Sequence, residues 1–189
     1  MSWPTTAADL ETLGQAIVAN SAGAIGGHSV AFGELTLTAP AGRIVEALTQ
    51  LRDHPDCQFH QLIDLAGAKG VAHLEAGYEI TMADVRDALA KQGMAEFKFL
   101  PGDGVFFRTG WGVHWIKDNA KFNSGEPGIG MEVAKWLSDT VQAGVTGSDT
   151  WATEVIPNRA PGCACCIHSH LLTRHGIVNQ ENMDLDELA

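Results

Sequence analysis

The chain has 189 residues, 45% hydrophobic and 19% charged, with 23 Asp and Glu against 12 Lys and Arg. That size and apolar content support one ordinary domain, or a small domain plus a fragment, with a real core. A formal net charge of −11 repels phosphate backbones and anionic lipid, which argues against nucleic acid or a membrane surface as the primary partner.

The first residues lack a basic stretch followed by an apolar one, so no secretory signal is expected. Leu10, Leu13, Ile17 and Val18 fall at helical spacing, and the pattern predicts a helix over 6–20. Residues 21–27 read as a loop. Residues 29–38 read as one strand, with Gly33 at a bulge and Pro40 beyond its end. Ile44, Val45, Leu48 and Leu51 define an amphipathic helix over 42–53, stopped at His54-Pro55. Residues 58–66 read as a second strand.

After Gly67 the texture changes. Residues 69–78 are irregular; Thr81, with Asp84 three residues on, begins a capped helix that Gly93 ends. A turn at 100–103, with Asp103 as a turn aspartate, feeds a strand over 105–109. Residues 110–128 read as a long loop, 130–143 as a helix, 145–147 as a short strand, 157–166 as a loop and 177–179 as a last strand. Strands alternating with helices give an α/β class, a mixed sheet with flanking helices. No run reaches the ~18 apolar residues of a membrane helix, so no membrane insertion is expected.

Chemistry concentrates in one stretch. Cys163, Cys165 and Cys166 precede His168 and His170, with His175 and Glu181 beyond. Thiolate, imidazole and carboxylate all ligate metals, but the spacing matches no zinc finger. Two readings stay open, a metal centre or small buried thiols with solvent-facing His. With Cys57 remote, the four Cys make a poor disulfide framework, so a reduced, cytoplasmic protein is expected. Asp149 follows a strand, a place for an α/β pocket residue or for a turn or cap. No nucleophile-elbow, Walker or dinucleotide motif is present.

Residues 69–189 resemble the cyclase family of metal-dependent hydrolases, which includes kynurenine formamidase and isatin hydrolase. The resemblance is carried by Ala76–Thr81, Pro101–Asp103, Phe107–Trp111, Gly125–Gly130, Gly147–Ala152, Glu154–Pro157, His168, Leu171–Ile177 and Glu181–Ala189. It implies a swivelling β/β/α core and hydrolysis of an amide or cyclic amide, such as an N-formyl aromatic amine, by a zinc or manganese centre. It implies His168 and Glu181 as metal ligands. Asp149, Arg108, Trp111, Trp151 and His170 are pocket candidates, the two Trp with core packing as the alternative. It further implies a small-molecule substrate and a homo-oligomer. The upstream His-x-Gly-Thr-His-x-Asp motif that would complete the centre is missing; His54 and His60 do not match it. No catalytic residue is therefore assigned, and two inherited ligands predict weak metal binding and impaired activity.

The first third resembles a different protein. Phe32–Thr38 and Ile44–Gly67 are similar to the N-terminal region of the C subunit of NADH-quinone oxidoreductase, a structural piece of respiratory complex I. This resemblance implies a non-catalytic interaction module with complex I subunits as partners. A division into 1–67 and 68–189 follows, the foreign segment replacing the cyclase N-terminal part. The two parts carry net charges of −5 and −6.

Overall fold

Thr6 opens the first helix with a reciprocal cap. Its hydroxyl accepts from the Asp9 N–H at 3.2 Å, and the Asp9 carboxylate accepts from the Thr6 N–H at 3.0 Å. The computed structural model describes residues 6–53, 62–159 and 162–186. It divides into two units, 1–60 and 61–189.

In the first unit, α1 (Ala7–Asn20) is followed by β1 (Gly27–Ala31) and β2 (Glu34–Thr38). The expected single strand is instead an antiparallel hairpin in which Ala31 faces Glu34. Phe32 and Gly33 form the two-residue turn, with φ of 54° and 80°. Positive φ at both central positions gives the twist that a tight hairpin needs, so Gly33 marks a reversal rather than a bulge. A tight 3₁₀ turn, Ala41–Arg43, leads into α2 (Ile44–Asp53). A small core forms from Ile17, Ala24, Ile25 and Ala47. The Cys57, His54 and His60 positions, and the first half of the expected strand 58–66, lie outside the described residues.

The second unit is built on a four-stranded parallel sheet ordered β3-β5-β7-β8. Its strands are Leu62–Asp64, Gly104–Arg108, Val145–Ser148 and Val178–Gln180. The expected strand 58–66 therefore ends at Asp64, whose side chain accepts from the Gly67 N–H and caps α3 (Leu65–Lys69). β4 (Glu79–Ile80) and β6 (Gly128–Ile129) make a second parallel pair that the sequence pattern did not reveal. Two-residue strands are too short to show a period.

Thr81 and Asp84 form the expected capping box at the start of α4 (Met82–Lys91). The expected loop 110–128 contains a 3₁₀ turn (Trp111–His114), α5 (Asn119–Phe122) and β6. α6 (Met131–Lys135) continues as a π-helix through Val141. α7 (Cys166–His168) likewise continues as a π-helix through Arg174, where the sequence suggested no element. Ile63, Val105, Phe107, Ile129, Val133, Leu137, Ile167 and Leu171 form the core, so sheet and helices share one apolar layer. No helix among the described residues is long and apolar enough to cross a membrane.

Candidate metal centre

The centre is assembled by chain segments that approach unusually closely. Residue 128 is glycine, and a Cβ there would lie 2.3 Å from the Glu154 carbonyl carbon. That allows β6 to run beside the segment carrying Glu154, with Ile129 bridged to Glu154. Glu154 is thereby fully buried. Its Oε1 accepts from the His168 N–H at 3.2 Å and pairs with His168 Nδ1. On the other side of the ring, Nε2 lies 2.7 Å from Glu181 Oε1. Glu181 also accepts from Asn179 Nδ2 at 2.9 Å and from the Thr153 N–H at 3.1 Å.

His168 thus carries a carboxylate at each ring nitrogen. The pairing with Glu154, with Glu181 adding to it, raises the imidazole's pKa, against the effect of burial. For Glu154, burial works to raise the pKa, but the His168 ring and N–H and the Asn158 amide hold it below the usual carboxylate range. Glu154, Cys165 and His168 each offer a ligand atom, all within 4.8 Å of one another. That donor set of carboxylate, thiol and imidazole fits a divalent transition metal.

The cysteines correct the expectation of reduced, buried thiols. Cys163 and Cys166 form a disulfide, and Cys165 is free and exposed. Residues three apart across a turn bring their Cβ atoms within bonding reach, which spacing alone did not signal.

The remaining candidates occupy separate places. His170 Nε2 meets the Ser138 hydroxyl at 3.0 Å and lines a cavity of about 520 Å³ with Lys135, Cys165, Ser169 and Arg174. Asp149 is buried. Its Oδ1 accepts from the Thr109 N–H and hydroxyl at 2.9 and 2.7 Å, and its Oδ2 from the Gly110 N–H at 2.7 Å. It also borders a cavity of about 230 Å³ beside Phe122 and Asp186. Burial raises its pKa in spite of those donors. Arg108 is held between Asp64 and Asp186, each at 2.9 Å. Trp111 is a core residue, its indole N–H donating to the Phe122 carbonyl at 3.4 Å, and it lines neither cavity. Trp151 is half-buried, and its Nε1 has no acceptor among the described residues.

Two buried carboxylates were not recognised from the sequence, Glu154 and Glu126. Glu126 accepts from the Trp151 and Ala152 N–H groups at 2.8 and 2.6 Å. Burial, helped by Glu181 and Asp149, pushes it up to about 9. The signal for Glu154 was its setting, a lone acid directly before the apolar Val155-Ile156.

The second unit is thus a parallel α/β fold with a His–carboxylate–thiol cluster beside its sheet whose donors could hold a metal ion. The family model for cyclases matches residues 43–155, and the chain belongs to the cyclase family. A solved structure described as a novel cyclase is 32% identical, with a TM-score of 0.57, over 67% of this chain and 41% of that one. Isatin hydrolase A from Ralstonia solanacearum is similar in fold, at 19% identity and a TM-score of 0.50, over 82% of this chain and 64% of that one. A separate part of the likeness is to the C subunit of NADH-quinone oxidoreductase. That of Caulobacter sp. (strain K31) is 76% identical over 58 residues, and that of Phenylobacterium zucineum (strain HLK1) 58% over 67 residues, 31% and 35% of this chain. The chain spans about a third or less of the length of these curated relatives, 27% and 31%.

Proposed function

We propose that residues 68–189 form a cyclase-family metal-dependent hydrolase core acting on an amide or cyclic amide, such as an N-formyl aromatic amine, with activity reduced by the missing upstream motif. One observation carries this reading: His168 stands with a carboxylate at each ring nitrogen, Glu154 and Glu181. His168 and Glu181 would hold zinc or manganese. When bound, such an ion lowers the pKa of water and polarises a carbonyl. Glu154 orients the imidazole, Asn179 and the Thr153 N–H orient Glu181, and the burial of Glu154 keeps water from its side of the ring. The test is elemental analysis of the purified chain together with hydrolysis of a panel of formamides and cyclic amides. Substoichiometric metal that is lost in His168→Ala, with slow formamide hydrolysis above buffer, is expected. Absence of hydrolysis at saturating zinc and manganese would refute the hydrolase reading.

The likeness to the NADH-quinone oxidoreductase relatives supports a second reading for residues 1–67, a non-catalytic interaction module whose partners are respiratory complex I subunits. Its test is co-purification of the full chain with those subunits from membrane extracts; the reading fails if the chain elutes alone.

A further inference from the structure

We propose that Cys165 supplies a thiolate ligand at the His168 centre, so that this chain holds a divalent ion through Cys165, His168 and Glu154 without the ligands an upstream motif would bring. The proposal rests on the metal-centre reading above, but it adds a thiol that the family resemblance does not name and takes Glu154, there the acceptor that orients the imidazole, as a ligand in place of Glu181.

Donors about 2.0–2.3 Å from a tetrahedral ion lie roughly 3.3–3.7 Å apart. The three ligand atoms here lie within 4.8 Å of one another. Closing them on an ion therefore asks for about 1 Å of side-chain movement, within reach of a cysteine rotamer change. Glu154 forms a buried floor, His168 is half-buried and Cys165 is exposed, so the cluster runs from the interior to solvent. Cys165 also lines the cavity of about 520 Å³, through which an ion could enter.

The backbone ties Cys165 to the histidine. Cys165 caps α7, whose last residue is His168, and its carbonyl accepts from the Ser169 N–H at 3.2 Å. The Cys163–Cys166 disulfide closes a small ring around Cys165. That bond removes two sulfurs from ligation and leaves Cys165 as the free thiol among the described residues. Lys135 and Arg174 border the same cavity. A thiolate–imidazole–carboxylate set prefers zinc or cobalt to magnesium or manganese.

The experiment titrates the full chain, with its disulfide intact, with cobalt(II) and reads the near-ultraviolet thiolate-to-cobalt charge-transfer absorption. Saturation at equimolar cobalt is expected, with displacement by zinc and not by manganese. Cys165→Ser should lose the band, whereas Cys57→Ser and the Cys163→Ser/Cys166→Ser double variant should keep it. Cadmium NMR of the unmutated chain reports a sulfur ligand directly and covers the case of a misfolded variant. Cobalt bound without the band, or a band that survives Cys165→Ser, overturns the assignment of Cys165 while leaving the hydrolase reading standing. A chain that binds no cobalt overturns both the assignment and the metal-centre reading.

Discussion

Glu154 and His168 are joined at two points: one carboxylate oxygen receives the backbone N–H of His168 at 3.2 Å and also pairs with its ring Nδ1. A single buried acid therefore sets both the start of the helix that carries the imidazole and the orientation of the ring. This double role sharpens what a substitution should do. Glu154→Gln keeps the shape but loses the charge, and zinc affinity should fall about 10- to 100-fold. Competition with a chromophoric chelator measures it. An unchanged affinity would remove Glu154 from the centre.

Asp149 organises the turn after β5 from within the protein. Asp149→Ala would strand the N–H groups of Thr109 and Gly110 and the Thr109 hydroxyl, all buried. The cost should be about 2–4 kcal/mol. A urea-unfolding midpoint close to that of the parent chain would show that water replaces the carboxylate.

Asp84 sets an acid limit. Burial would raise its pKa, but Lys69, Thr81 and Tyr78 hold it down to about 2. The folded value lies below the ordinary one, so its contribution is present above the unfolded pKa near 3.8 and is lost as the pH falls through about 2. That contribution is about 2 kcal/mol. Urea unfolding between pH 5 and 2 should show the loss in the parent chain and a flatter profile in Asp84→Asn.

Glu126 acts in the opposite direction. With its pKa raised to about 9, the folded state keeps a proton that the unfolded chain releases near 4.5. Stability should fall as the pH rises from about 4.5 to 9, with a slope of up to about 1.4 kcal/mol per pH unit. Glu126→Gln should be less stable at pH 5, because an amide nitrogen cannot accept one of the two N–H groups, yet should show no such slope. Equal slopes for both chains would mean that Glu126 is ionised in the folded state.

Much of the local order was legible in the sequence. The capping box at Thr81, the amphipathic helices around Ile17 and Leu48 and the turn before β5 all follow from signals within a few residues. His168 and Glu181 could be picked out because family motifs surround them. The hairpin at Phe32-Gly33 was not legible, because a bulky residue at positive φ is an uncommon turn former. Nor was the helix that carries His168, since cysteines and histidines show no apolar period there.

The sequence by itself determined the α/β class, the family motifs and the residue types able to bind a metal. Only the tertiary structure decided which of them meet. The approach of β6 to the segment after residue 150 buries Glu154 against His168, and a four-residue turn pairs Cys163 with Cys166 while leaving Cys165 free. The physical reason is that helix and strand signals are local, whereas a ligand set is defined by distances between residues far apart in the chain, and packing alone settles those distances.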